Sequence, residues 1–474
     1  MARAPSIPGW ETWAQPVSAA RPPASTSPED PRVADPPFPK DGQGAPTRHV
    51  APRSIGQALG PDPSARSVVV RAFLGSRLIV LFAGVLAVLE IGQAAGQATN
   101  FDPEGLTRPF GYFGNLLAAP FARWDSAWYL GIASGGYHSV QPTAFYPLYP
   151  LMLRGIGIVI GSDLIAGVLV SLVAFIVALA LLYRLARLEL DSPRAEATVM
   201  LIAFCPMAYF FSAIYTESLY LALSLGCLLC ARSGRWFWAG LLGGLAALSR
   251  NSGVVLVVPV VLMFLYGPRT DAAPSPRRSG LRALVPRYPL RGALLWAALI
   301  PLGLVAYLAY LGIDMHDAFA PFHAQVYWAR HFTLFGGVWQ GAVAAWDGVR
   351  QLLHGPAPPV YFTQAGGDPL NVAGQNLLEF VALLIGIVAL VGTFRRLPFV
   401  YGAYVFFSLA MPLSDPDSAQ PLASLPRYEV VLFLLFMWAA SVLYRRNLVA
   451  IAIGVGAVLL GLFTADFATW RFVA

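Results

Sequence analysis

The residues best equipped for chemistry stand together in "FARWDSAWYLGIASGGYHSVQPTAFYPLYP", residues Phe121–Pro150, where Arg123, Asp125 and His138 sit among aromatics, prolines and glycines. Asp125 has Arg123 and Trp124 before it and Trp128 and Tyr129 after it. A carboxylate in a region of low dielectric can hold a proton more tightly and serve as a general base. The neighbouring aromatics offer flat faces to sugar rings, and they equally suit the belt at a membrane interface. A second role is open to Asp125: capping the helix "SAWYLGIASGGY", which Gly135 and Gly136 would stop. The two roles are compatible, because a helix N-terminus holds a carboxylate in fixed geometry.

Other polar groups recur at the edges of apolar runs: Glu217 in "YTES", Arg250 in "SRNSG", Arg330 and His331 in "YWARHF", and Arg427 and Tyr428 in "LPRYEV". Arginine keeps its charge and binds phosphate with a planar fork, but each of these arginines could also touch lipid headgroups. Glu217 could pair with an arginine, hold a substrate or cap the following helix. Cys227 and Cys230 form C-x-x-C inside the apolar run "SLGCLLCA", where they read as small packed residues. Three cysteines are too few for a disulfide framework.

The elements that must hold these groups are helices in a membrane. The chain has 474 residues, 57% hydrophobic and 12% charged, about half the charge of a soluble protein. From Phe73 onward, apolar runs of about 20 residues recur, each long enough to cross a bilayer. About eleven spans are expected, beginning near Val68, Leu164, Ala197, Ser218, Trp236, Gly253, Gly292, Asn376, Phe399, Val430 and Leu448. This is an all-α polytopic membrane protein. The formal charge of +7 does not point to nucleic acid, because the positive residues form short clusters between the apolar runs. Nearly all are arginine, and Lys40 is the only lysine. Residues 1–65, rich in Pro, Ala and Ser, read as a disordered cytoplasmic tail and not as a signal peptide; residues 66–474 form the transmembrane domain. With the N-terminus inside, every arginine cluster between spans falls on the cytoplasmic side. Two large loops, about residues 92–163 and 313–375, are then extracytoplasmic. "YPLYPLMLRGIGIVIG" is too short and proline-rich to span and is expected to lie in the interface.

"RWDSAWYLGIASGGY", followed by "AFYPLYP", resembles the first-loop signature of the PIG-V-type GPI mannosyltransferase family and its bacterial relatives. That family belongs to the GT-C superfamily of multispanning glycosyltransferases. "SAIYTESLYLALS", "LSRNSG" and "LPRYEVVLFLLF" resemble its further segments in order, so the likeness spans about residues 70–450. It implies a GT-C-type bundle with extracytoplasmic catalytic loops. It also implies that Asp125 is the catalytic base of an inverting transfer from a polyprenyl-phosphate sugar, most simply polyprenyl-phosphomannose. Substrate would then meet Arg123, Trp124, Trp128, Tyr129, His138, Glu217, Arg250, Arg330, His331, Arg427 and Tyr428, with Arg250 or Arg427 on the donor phosphate. The acceptor would be an extracytoplasmic glycolipid, lipoglycan or protein, met at the plasma membrane. The sequence departs from eukaryotic members in "GYHSVQPTAF", which lacks an acid after the Gly-Tyr pair. That weakens the case for a divalent cation between two loop carboxylates, the one cofactor the resemblance leaves open. The rival is a transporter or lipid flippase, which would carry ionisable residues at mid-span. Glu379, at the start of a span, is the clearest acid within an apolar run, which favours the enzyme.

Overall fold

The computed structural model describes residues 63–273, 275–276, 285–355, 369–418 and 420–471. Residues 1–62 of the expected tail lie outside these. Its last three residues do not belong to a tail: Pro63, Ser64 and Ala65 open helix α1, Pro63–Glu90. Proline suits that first position, since the missing N–H has no intrahelical partner there.

Among the described residues, five helices are long and apolar enough to cross a membrane. They are α1, α4 (Asp163–Glu189), α9 (Leu299–Asp314, extended by the 3-10 turn Gly292–Ala298), α11 (Pro369–Arg396) and α15 (Val449–Ala468). Shorter apolar helices stand between them: α3 (Leu148–Ile160), α7 (Trp236–Ser249), α8 (Val257–Tyr266), α12 (Phe399–Leu413) and α14 (Phe433–Arg445). The chain is therefore a multi-pass membrane protein with helices near the expected places, while the count of eleven full spans is not reproduced by length.

The third expected span is broken. Helix α5, Ser192–Ala203, ends before Pro206, and a 3-10 turn over Pro206–Phe211 follows. Proline offers no N–H to continue the ladder and clashes with the preceding turn. The turn is fastened by Arg77 from α1, which donates to the Ala208 carbonyl at 2.9 Å and to Ser212 Oγ at 2.5 Å. It feeds the chain into α6, Glu217–Arg232.

Apolar side chains cover the outside of α1, where Leu74, Leu78, Phe82 and Leu86 are all exposed. A continuous exposed apolar face of this kind marks a surface meant for lipid. Inside, α4 packs on α6, α6 on α7, α7 on α9 and α15 on α1. The α7–α9 contact is backbone on backbone: a Cβ on Gly303 would lie 2.2 Å from the Gly244 carbonyl oxygen. Small residues permit this approach where hydrophobic driving force is absent.

The first large loop carries α2, Asp125–Gly135, and the second carries α10, Gly336–His354. A short helix α13, Leu425–Val430, precedes α14. Among the described residues no strand forms, and a lone antiparallel bridge joins Arg330 to Asp417.

Candidate active site

The site begins with a reversal of the backbone. Trp124 has φ of 54°, a conformation bulky residues rarely adopt, so the chain turns sharply between Arg123 and Asp125. Arg123 is fully buried behind the turn. Its Nε donates to the Ala468 carbonyl at 3.0 Å, its Nη1 donates to the Ala122 carbonyl at 2.6 Å, and its guanidinium lies 5.3 Å from the Trp470 ring centroid. Arg123 is thus a bolt between the first loop and α15, and the expectation that it meets substrate is corrected. Trp124 packs on Phe101 and Trp470, with centroids 4.7 and 5.6 Å away.

Asp125 emerges as the first residue of α2, and its carboxylate does not cap that helix. Its N–H donates to the Tyr215 hydroxyl oxygen at 3.1 Å, and that hydroxyl donates to the Arg123 carbonyl at 3.3 Å. Its Oδ2 accepts from Arg427 Nη1 at 2.5 Å. Arg427 Nε donates to Glu217 Oε1, and the same oxygen accepts from Arg250 Nη1 at 2.7 Å. Asp125, Arg427, Glu217 and Arg250 therefore form one continuous chain of charge. It joins α2, α13, the start of α6 and the residue after α7. Glu217 is fully buried, while the Asp125 side chain keeps 25% of its exposure. Buried ion pairs of this kind add little net stability, but removing one partner is expensive because it strands the other. They fix geometry. Arg427 also lies 4.5 Å from the Tyr215 ring centroid and Arg250 4.5 Å from that of Tyr428, so aromatic faces hold both cations.

Asp125, Arg250, Arg427 and Tyr428 line a cavity of ≈ 2280 Å³. Drug-sized ligands occupy about 300–1,000 Å³, so this space can take more than one substrate. Trp128 and His138 line it as well. Trp128 stacks on Phe145 with centroids 5.8 Å apart and meets the edge of Trp328 at 5.7 Å. Tyr129, mostly buried beneath, sets its hydroxyl 3.4 Å from Thr216 Oγ1. From the second loop, Arg330 reaches the cavity with its Nη1 donating to the Asp415 carbonyl at 2.9 Å and its Nη2 to the Ala423 carbonyl at 3.1 Å. His331, its neighbour, is exposed and off the cavity wall, with its N–H on the Pro416 carbonyl at 3.3 Å. Adjacent residues in extended backbone point to opposite sides, which separates the pair. Glu217 likewise stands behind the wall and not on it.

Sequence reasoning missed Tyr215, which braces the Asp125 main chain and covers Arg427. Its place two residues before Glu217 in "YTES" was the available signal. It also missed three residues on the cavity wall: Trp328, which stands two residues before Arg330 in "YWARHF", and Asp466 and Arg471, which lie in none of the quoted stretches. Among the described residues, no three His, Cys, Asp or Glu side chains come together in a way that could hold a metal ion.

Residues 66–300 match the family model described as Mannosyltransferase (PIG-V). Over those residues the chain is similar to the PIG-V mannosyltransferase family. Among its relatives, the GPI alpha-1,6-mannosyltransferase 2 of Rattus norvegicus is 30% identical over 215 residues, 41% of this chain and 42% of that protein. The human protein of the same name is 28% identical, covering 42% of this chain and 43% of its own length. GPI mannosyltransferase 2 of Drosophila pseudoobscura pseudoobscura is 28% identical over 36% of this chain and 41% of its own. The matched region thus spans less than half the length of these relatives. Among solved structures, the Archaeoglobus fulgidus oligosaccharyltransferase tethered to an acceptor peptide aligns over 87% of this chain and 56% of its own, with 15% identity and a TM-score of 0.42. The PIG-V segment carries Asp125, Glu217 and Arg250, whereas Arg330, Arg427 and Tyr428 come from the chain beyond it.

Proposed function

We propose that this protein moves a mannosyl group from a polyprenyl-phosphate donor to an extracytoplasmic hydroxyl acceptor, a glycolipid, lipoglycan or protein, with inversion at the anomeric carbon. The observation that carries the reading is the Asp125 carboxylate. It opens on the cavity with Oδ2 held by Arg427, and Oδ1 takes no hydrogen bond among the described residues. Oδ1 is then free to take the proton of the acceptor hydroxyl as its oxygen attacks the anomeric carbon. The bond to the phosphate oxygen breaks on the opposite face, and polyprenyl phosphate leaves with its charge met by cavity arginines. A phosphate leaving group needs no strong general acid. Trp128 and Trp328 supply flat faces for a sugar ring.

The reading places the N-terminus in the cytoplasm of a plasma-membrane protein, with both large loops and the cavity outside. A lipid-linked donor then reaches the site along the membrane surface. The test is transfer of radiolabelled mannose from polyprenyl-phosphomannose in membranes. We expect Asp125→Asn and Asp125→Ala to lose activity by about 10²–10⁴-fold while inserting normally. Activity near wild type in a well-expressed Asp125→Ala protein would refute the assignment.

A further inference from the structure

Three guanidiniums converge on the cavity beside Tyr428, and only two of them are answered by a carboxylate in contact. Arg250 is paired with Glu217, and Arg427 with both Glu217 and Asp125. Arg330 makes hydrogen bonds to two main-chain carbonyls and, among the described residues, no ion pair. Asp415, Asp417 and Glu379 are the acids near it, and none is in salt-bridge contact with it. Asp415 offers it a main-chain carbonyl, Asp417 Oδ1 accepts the Gln420 N–H at 3.0 Å, and the Glu379 carboxylate is covered. The two carbonyls fix the fork of Arg330, so its position is set before any ligand arrives. Tyr428 reports the sum of these charges. Burial works to raise its phenol, but the fields of Arg330, Arg250 and Arg427 outweigh burial and leave it below the ordinary tyrosine value. A phenol in that state is a strengthened hydrogen-bond donor.

We infer that Arg330 and the Tyr428 hydroxyl form the phosphate-binding subsite of the cavity, while Arg250 and Arg427 serve to position Glu217 and Asp125. The ligand class is a phosphate ester carried on a lipid. The fixed guanidinium takes its charge, and the phenol donates to one of its oxygens. The assignment deepens the mannosyltransferase reading and rests on it for the identity of the lipid, but not for the anion site itself. It also explains why the two arginines with matching sequence motifs are the ones already occupied: they build the base, and the phosphate is left to a residue from the second loop.

The experiment is binding of radiolabelled polyprenyl phosphate to the purified full chain in phosphatidylcholine nanodiscs, which needs no turnover. Loss of one charge-assisted contact corresponds to a weakening of about ten- to a hundred-fold for Arg330→Gln. Tyr428→Phe should weaken binding about two- to tenfold. This second variant keeps the ring against Arg250 and disturbs no brace of the loop, so it stays informative if Arg330→Gln loosens the Asp415–Ala423 segment. Adding phosphatidylglycerol distinguishes the sources of phosphate. Indifference to it places a polyprenyl phosphate in the subsite. Competition that disappears in Arg330→Gln and Tyr428→Phe places a phospholipid headgroup there instead. Both variants binding polyprenyl phosphate as tightly as wild type, with identical competition, overturns the subsite. Wild-type binding without any mannosyl transfer leaves the subsite standing and sinks the transferase reading.

Discussion

Glu217 is the residue on which the placement of Asp125 depends, although it stands behind the cavity wall. One oxygen of its carboxylate accepts from two guanidiniums, and one of these reaches on to Asp125. Glu217→Ala strands Arg250 and leaves Arg427 with Asp125 alone, so we expect a loss of about 3–5 kcal/mol in stability together with a fall in transfer rate. Glu217→Gln keeps the shape and one acceptor, and its defect should lie in kcat with little change in donor KM. A double-mutant cycle between Glu217 and Arg250, read by thermal unfolding in detergent, should give a coupling of about 0.5–3 kcal/mol. Additive effects would break the proposed chain. The sequence made these residues visible as candidates, because polar groups at the ends of apolar runs stand out against their surroundings. It left open whether Arg250 holds phosphate or Glu217, since "SRNSG" and "YTES" are 33 residues apart and nothing local joins them. Arg123 was misread for a related reason: proximity to Asp125 in sequence does not survive the positive φ at Trp124.

Helices were legible as apolar runs, but their continuity was not. The run from Ala197 to Ala213 reads as one span by hydropathy alone, yet Pro206 divides it. The tight 3-10 turn that results aims Tyr215 and Glu217 at the site, so a local break in the ladder has a positional use. The partner of that turn, Arg77, sits within an apolar span and looks anomalous until its contacts with Ala208 and Ser212 are known. We expect Arg77→Leu to release the turn and reduce transfer without changing membrane insertion, with transfer per unit of inserted protein as the measurement. The α7–α9 seam makes the opposite demand, since it needs side chains removed. Gly303→Leu would drive a side chain into the Gly244 carbonyl. Overpacking of a tight seam costs about 1–3 kcal/mol or more, and a lowered melting temperature in detergent should report it.

At the scale of the whole molecule, charge asymmetry predicts which side the cavity faces. A single cysteine at the exposed position Ser139, on a background lacking Cys205, Cys227 and Cys230, should react with a membrane-impermeant reagent in intact cells. Protection there, with labelling at Ser279, which lies outside the described residues, would invert the topology. The architecture joins distant parts of the chain at the site: the segment that matches the family model supplies Asp125, and the later chain supplies Arg330, Arg427 and Tyr428. The bolt from Arg123 to the Ala468 carbonyl crosses 345 positions of sequence, and Trp124 rests on Trp470 from the same terminal stretch. In biosynthesis this makes the last contacts of the first loop wait on helix α15. Until the ribosome has passed residue 470, the loop bearing Asp125 has Tyr215 and Arg427 to hold it, but neither the Ala468 carbonyl nor Trp470. A chain stalled short of residue 468 would carry the whole stretch that matches the family model and still lack the bolt behind Asp125.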